Sequence, residues 1–273
     1  MDLKPKTSHG KRVITAVLLI PFIFSYLYWG GSLFFVFLVW AGFSLGSQEF
    51  FRLLHPGATK SLLIYHWVSG SLAVWGAYWK GLEGLIMALV LGFLFLIFSL
   101  VITFPNEKPF YDHLGRQVIT QWYLPLFMPF FILIRLENRG LFWIFFLMAV
   151  NYAGDSGAFY AGRTWGRHKL APQVSPKKTI EGSLGGLAAN ILIALIFQQT
   201  LLKEQPLGFM VALGLVIGLV SQIGDLLESI FKRAARIKDS GSLFPGHGGI
   251  LDRIDSLLLP APLVYFYIVF VNH

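Results

Sequence analysis

Four aspartates at the ends of apolar runs are the residues of this sequence best suited to chemistry. Asp155, Asp225, Asp252 and Asp255 lie within or directly beside stretches that otherwise carry almost no charge. A charge inside a lipid bilayer is costly, most of all at the centre and less so near the ends. A carboxylate persists there when it is paired, hydrated or bound to a cation, so the four acids are candidate metal ligands.

Helical spacing would bring three of these acids together from two helix faces. At about 100° per residue, Ser221, Asp225 and Ser229 fall on one face of a helix. Asp252 and Asp255 share a face at positions i and i+3 of the next helix. If the two faces meet, their carboxylates converge into an oxygen-rich cluster. Such a cluster suits Mg²⁺, which also keeps waters and substrate phosphates among its ligands.

Structural roles compete with metal binding for the same acids. Asp225 or Asp252 could pair with Lys232 or Arg253. Asp252 follows the sequence GHGG at the start of a helix, where it could also act as a cap. Glu228 is expected to be a solvated loop charge.

The segment between residues 228 and 251 carries cations around a turn that cannot be helical. Pro245 and the glycines of PGHGG break a helix, and glycine N–H groups can line an anion. His247 lies between those glycines and is a candidate for substrate contact. Basic residues on both sides make the turn a candidate phosphate site. These residues are Lys232, Arg233, Lys238 and Arg253.

A second basic segment, SPKKTIEGS, supplies Lys177 and Lys178, for which plain contact with lipid headgroups is the alternative role. Thr179 marks the start of the helix that follows. Small residues then recur at four-residue spacing, as in Gly182 and Gly186, which favours close helix packing. Such faces suit packing within one chain or between two copies in a homodimer.

The composition indicates what kind of protein positions these residues. The 273 residues are 55% hydrophobic and only 13% charged, with a mean hydropathy of +0.64 and no cysteine. Soluble domains carry roughly twice this charged fraction. We therefore predict an all-α, polytopic integral membrane protein without thiol chemistry. The net charge of +8 is attributed to cytoplasmic loops and not to nucleic-acid binding.

Nine apolar segments are long enough to be membrane-spanning helices. The first follows a basic start and is interpreted as a retained helix rather than a secretory signal. The first two are separated only by Gly30 and Gly31. The segments are 13–29, 32–48, 62–79, 82–103, 117–134, 141–161, 183–202, 207–227 and 252–271.

Loop charges predict the orientation. If the N-terminus is in the cytoplasm, 18 of the 22 lysines and arginines lie on the cytoplasmic side. The four on the other side are Lys80, Arg135, Arg139 and Lys203. The long loops, and hence any soluble chemistry, then face the cytoplasm, and the inner membrane is the expected location. The chain is predicted to form a single integral membrane domain, 1–273. Its half 1–140 holds spans one to five, and 141–273 holds spans six to nine with the catalytic loops.

Two stretches carry a family resemblance. SIFKRAARIKDSGSLFPGHGGILDRID, residues 229–255, resembles the signature of the phosphatidate cytidylyltransferases, also called CDP-diacylglycerol synthases. GDSGAFYAGRTWGRHKLAPQVSPKKTIEGSLGG, residues 154–186, resembles a second typical stretch of that family. The N-terminal half is similar only in having several spans.

The resemblance implies an integral membrane enzyme of phospholipid biosynthesis. It would convert CTP and phosphatidate to CDP-diacylglycerol and pyrophosphate with Mg²⁺, and a second cation stays open. Asp225 and Asp252 would hold the metal, with Asp255 and Asp155 as further ligands. Substrate would be contacted by Lys177, Lys178, Ser229, Lys232, Arg233, Lys238, His247, Gly248, Gly249 and Arg253.

Other classes of function are less consistent with the pattern. An ion-coupled transporter also carries acids in its membrane helices, but usually near the midplane between internal repeats, and no repeat is visible here. Another CTP-dependent lipid enzyme, such as a polyprenol kinase, would release CDP instead of pyrophosphate. A purely structural subunit needs no such charge at the membrane boundary.

Overall fold

A computed structural model describes residues 30–103, 110–241, 243 and 248–271 of the chain. These residues form nine helices and one short hairpin of two strands, so the all-α prediction is confirmed with one small addition. The elements are α1 Gly31–Leu54, α2 Lys60–Thr103, α3 Phe110–Phe127, α4 Pro129–Leu136, α5 Gly140–Trp165, β1 Lys169–Ala171, β2 Ser175–Thr179, α6 Ile180–Thr200, α7 Leu207–Ala234, α8 Leu251–Leu258 and α9 Pro260–Val271.

Helices occupy the positions of the second to ninth predicted spans, whereas the first, 13–29, lies outside the described residues. Among the described residues, six helical segments are long and apolar enough to cross a membrane. Helix α5 is not one of them, because polar residues such as Asn151 and Asp155 lower the hydropathy of its second half. The membrane orientation stays a prediction. The six segments are Gly31–Leu54, Lys60–Ile102, Phe110–Leu136, Ile180–Thr200, Leu207–Ala234 and Leu251–Val271.

Helix α2 is a hairpin of two helical arms that correspond to the third and fourth predicted spans. The chain reverses at Gly81, whose φ of 62° and ψ of −144° lie in a region open mainly to glycine. The hydroxyl of Tyr65 donates to the carbonyl of Gly92 at 2.6 Å. Its ring also lies 5.0 Å from that of Phe95. These contacts require the two arms to lie side by side and antiparallel.

Apolar side chains fill the interior and also cover much of the outer surface. Phe43, Trp143 and Phe146 are almost completely buried in the core. Large apolar residues such as Phe98, which is 62% exposed, point outward. An outward face of this kind is typical of helices that contact lipid rather than water. The structure is therefore that of an α-helical membrane protein.

Small residues let α5 and α6 touch backbone to backbone. A Cβ on Gly157 would lie 2.8 Å from the carbonyl oxygen of Gly185, and one on Gly186 would lie 2.8 Å from that of Gly154. A Cβ on Gly185 would collide with the methyl group of Ala161. The predicted close packing at these glycines thus occurs within one chain. The homodimer stays a prediction.

The loop between α5 and α6 contains the hairpin that the sequence did not predict. Strands β1 and β2 pair antiparallel, with Lys169 opposite Thr179 and Ala171 opposite Ser175. Thr179 then caps α6, because its hydroxyl oxygen accepts a hydrogen bond from the N–H of Gly182 at 3.1 Å. The predicted start of this helix is confirmed. The hairpin also fixes where the two lysines of β2 lie.

Candidate functional site

A cavity of 540 Å³ lies between α5, α6, α7 and the β-hairpin. One end of it is charged, with side chains from all of these elements except α6. The charged residues are Asp155, Arg163, Lys177, Lys178 and Asp225. Four of these five residues were candidates from sequence, and Arg163 was missed. The available signal was weak: Arg163 lies about two helical turns after Asp155, which places both on the same side of α5.

The charged end brings opposite charges into contact. Lys178 of β2 forms an ion pair with Asp225 of α7, and both side chains are largely but not fully buried. Asp155 of α5 is close enough to Asp225 and to Asp255 for their charges to interact. The hairpin thus places its lysines beside carboxylates of α5 and α7. Such a site is suited to phosphate groups and cations.

Asp252 lies in a separate group of polar residues, at the start of α8. Its carboxylate accepts hydrogen bonds from Lys232 Nζ at 2.7 Å and from the N–H of Gly249 at 2.8 Å. Ser240 donates both its N–H and its hydroxyl to Asp252, each at 3.0 Å. Gly248, with φ 79°, leaves no room for a Cβ beside this carboxylate. The pairing anticipated for Asp252 therefore occurs, with Lys232. Asp252 also lies in the first turn of α8, but the N–H groups it accepts come from Gly249 and Ser240, before the helix, so its side chain forms no cap hydrogen bond.

Glu228 was expected to be a solvated loop charge, and this expectation is wrong. Its side chain is 0% exposed and forms an ion pair with Lys232. The physical reason is that α7 runs on to Ala234, beyond the predicted end of the eighth span. Glu228 therefore lies on the inward face of the helix, and Lys232 connects it to Asp252.

Sequence reasoning missed Glu49, which reaches the same group from α1. Its carboxylate accepts from the N–H groups of Ile250 at 3.2 Å and Leu251 at 3.0 Å, and from the hydroxyl of Ser240 at 3.0 Å. A Cβ on Gly249 would collide with it. The signal available was its position at the end of the second apolar run, the pattern that singled out the aspartates. We call Glu49, Glu228, Lys232, Ser240 and Asp252 the Asp252 cluster.

Asp255 is buried where α7 and α8 cross. A Cβ on Gly224 would lie 2.8 Å from the carbonyl oxygen of Asp255, so the two helices are in close contact. The Asp255 carboxylate accepts from the N–H of Ser256 at 2.7 Å and does not line the cavity.

The other predicted substrate contacts are spread around the two groups. Arg233, Lys238 and Arg253 have exposed side chains, and Ser229 is half-buried. Arg233 donates to the carbonyl of Val174 in the hairpin at 3.4 Å. His247 lies outside the described residues. The roles of these residues in binding phosphate stay predictions.

The four predicted metal ligands are divided between different surroundings. Asp155 and Asp225 line the cavity, Asp252 is held by four donors, and Asp255 is buried. Within the described part of the chain, no group of three or more histidine or acidic side chains is arranged to hold a metal ion. The magnesium site therefore also stays a prediction.

Comparison with known proteins identifies the class to which this fold and site belong. The chain belongs to the Cytidylyltransferase family, whose model matches residues 10–271. It is 34% identical to the phosphatidate cytidylyltransferase of Bacillus subtilis over 266 residues, covering 94% of this chain and 96% of that protein. It is 32% identical to the phosphatidate cytidylyltransferase of Haemophilus influenzae over 290 residues, covering 96% and 99%. The resemblance predicted from sequence is confirmed.

A third relative matches more strongly over a shorter stretch. The phosphatidate cytidylyltransferase of Synechocystis is 46% identical over 132 residues, covering 48% of this chain and 44% of that protein. The match to this relative thus covers about half of the chain.

Proposed function

We propose that this protein transfers the cytidylyl group of CTP to phosphatidate, which yields CDP-diacylglycerol and pyrophosphate in phospholipid biosynthesis. The observation that carries the proposal is the cavity. Two carboxylates, two lysines and an arginine line one end of a space enclosed by helices with apolar outer faces. One substrate is a membrane lipid and the other a cytoplasmic nucleotide, and such a space can receive both. Membership in the family supports the same reaction.

The cations of the cavity would allow two anionic substrates to approach each other. Lys177, Lys178 and Arg163 would bind phosphate oxygens and offset their repulsion. A phosphatidate oxygen would attack the α-phosphorus of CTP in line with the departing pyrophosphate, whose P–O bond breaks. A phosphate monoester has a second pKa of about 6 and is largely ionised at neutral pH. The reaction therefore needs neither a general base nor a covalent enzyme intermediate.

Asp155 and Asp225 fit a divalent cation better than the other two predicted ligands. Both are hard oxygen donors on neighbouring helices, and both line the cavity. Asp225 already faces a cationic group there, the ammonium of Lys178. Mg²⁺ is commonly held by one or two carboxylates together with substrate phosphates. When bound, Mg²⁺ would neutralise charge on the phosphates.

The Asp252 cluster would position the loop that leads into α8. Asp252 and Glu49 hold the backbone N–H groups of residues 249–251, and Lys232 joins this turn to α7. Candidates for phosphate contact around it remain Arg233, Lys238, Arg253 and Ser229. His247, which lies outside the described residues, remains a candidate from sequence alone. We further propose that the protein lies in the inner membrane with this side facing the cytoplasm.

A turnover assay tests the proposal. Purified protein is given phosphatidate in detergent micelles, CTP and Mg²⁺, and pyrophosphate release is measured with and without a chelator. We expect Asp225→Asn to lose at least 100-fold in turnover while it remains folded. Asp112→Asn, which removes a charge from an exposed ion pair with Arg116, serves as the matched control and should keep normal turnover. Release of CDP instead of pyrophosphate, or near-normal turnover of Asp225→Asn, would contradict the proposal.

A further inference from the structure

The cavity has a second, neutral end. Asn151 on α5 and Ser221 on α7 each lie one helical turn before an acid of the charged end, Asp155 and Asp225 respectively. Asn190 of α6 completes the set, so all three helices contribute to this end. Ser183 and Gln222 also line the cavity, but they hydrogen-bond to each other. Four residues of helix span about 6 Å, which separates the neutral end from the charged end by that distance.

The polar atoms of the neutral end are buried and unpaired. Asn151 and Asn190 are each 2% exposed and Ser221 is 6% exposed. Within the described residues, no group hydrogen-bonds to Asn151 Oδ1, Asn190 Oδ1 or Ser221 Oγ. Burying a polar atom without a partner is unfavourable, and folded proteins rarely do so without a functional reason. Three such atoms around one cavity indicate that a ligand completes their hydrogen bonds.

The amides are held in place by the surrounding fold. Asn190 is packed between α5 and α7, because a Cβ on either Gly154 or Gly218 would collide with its amide group. Asn151 Nδ2 donates to Ser256 Oγ at 3.0 Å, which leaves its Oδ1 free. The fold thus holds both asparagines beside the cavity. Because their free oxygen atoms have almost no accessible surface, a ligand would reach them after a small shift of these side chains.

The chemistry of the two substrates indicates which of them fits the neutral end of the cavity. Phosphatidate has both remaining glycerol hydroxyls esterified, so beyond its phosphate it offers carbonyl acceptors and apolar chains but no donors. The nucleoside of CTP carries two ribose hydroxyls and the amino group of cytosine, all of which donate. An asparagine amide also matches an exocyclic amino group beside a ring nitrogen, the pairing that adenine makes with asparagine.

We propose that Asn151, Asn190 and Ser221 form a subsite for the nucleoside of CTP, while the charged end holds its phosphates. This inference rests on the proposed function, since it assumes that CTP is a substrate.

Ser221→Ala is the decisive variant, because the hydroxyl it removes has no partner within the described residues. We expect its thermal stability without substrate to equal or exceed that of the wild type. The KM for CTP should rise at least 10-fold, and the KM for phosphatidate should change less than twofold. Asn151→Ala should likewise raise the KM for CTP at least 10-fold and change the KM for phosphatidate less than twofold. Ser156→Ala is the matched control on α5: its exposed hydroxyl donates to the carbonyl of Tyr152 and does not line the cavity.

Two inhibitors separate the two ends of the cavity. Cytidine monophosphate should inhibit the Ser221→Ala variant at least 10-fold more weakly than the wild type, whereas inorganic triphosphate should inhibit both equally. Equal weakening of both inhibitors, a rise in the KM for phosphatidate, or an unchanged KM for CTP would overturn the subsite. Failure of the wild type to release pyrophosphate from CTP and phosphatidate would instead refute the proposed function.

Discussion

Replacing Glu49 by glutamine tests whether a helix from the N-terminal half supports the loop that leads into α8. The carboxylate of Glu49 accepts hydrogen bonds from the N–H groups of Ile250 and Leu251 at the start of α8, at 3.2 and 3.0 Å. It also shares the hydroxyl proton of Ser240 with Asp252, at 3.0 Å from each carboxylate. Glutamine keeps one oxygen and turns an NH₂ group toward these donors, so at least one donor loses its acceptor. Hydrogen bonds to a charged group contribute about 1.5–3 kcal/mol each.

We therefore expect Glu49→Gln to cost about 2 kcal/mol in the free energy that holds the start of α8. If turnover needs a well-ordered start of α8, kcat falls by about 30-fold, since each 1.4 kcal/mol corresponds to a factor of ten. The KM for CTP should change less than threefold, because Glu49 does not line the cavity. Pyrophosphate release at saturating CTP and phosphatidate measures this effect.

Glu83→Gln is the matched control, because it removes an exposed glutamate of α2. It should leave kcat unchanged. The reasoning is refuted if Glu49→Gln keeps more than half of the wild-type kcat, or if both glutamine variants lose activity to the same extent. A Glu49→Gln protein that loses activity only through a higher KM for CTP would also contradict a positioning role.

Three further outcomes are expected. Lys178→Met should raise the KM for CTP by about 10-fold in initial-rate measurements, because it removes a cation from the charged end of the cavity; an unchanged KM would exclude this contact. Gly185→Ala should lower the thermal midpoint in detergent, since its methyl collides with α5, whereas Gly115→Ala, which meets nothing within 4 Å, should not. Burial and neighbouring cationic side chains lower the pKa of His55 from 6.5 to about 4, so the unfolded chain binds this proton more readily. Stability should therefore fall as the pH drops from 6.5 towards 4, and His55→Gln should flatten that profile.

The helices were predictable because lipid imposes a simple length requirement on apolar runs. Even the reversal at Gly81 lies in the short gap between two predicted spans, and the closely packed glycines of α5 and α6 stand out by their spacing. What helical periodicity could not predict is the β-hairpin. Its strands are three and five residues long, and they depend on pairing with each other and on the cap at Thr179.

The site was only partly predictable, because side-chain partners come from distant parts of the chain. Asp225 was recognised from its position on a polar face, but its partner Lys178 comes from the hairpin. For Asp252, the pairing that was considered as an alternative occurs in the structure, whereas the N–H groups at the start of α8 are held by Glu49 instead. Glu228 was misjudged because the apolar run ends before the helix does. Such distinctions depend on where helices end and cross, and local spacing does not determine either.

The 202 residues that separate Glu49 from Leu251 have a consequence for how this protein is made. The ribosome produces the glutamate 202 positions before Leu251, so α1 is synthesised long before this contact can form. A nascent chain that stops before α8 would hold Asp155, Lys178 and Asp225 but lack the end of the loop that Glu49 secures. Under the proposed function, turnover would therefore depend on the synthesis of α8 and not only on that of the helices around the cavity.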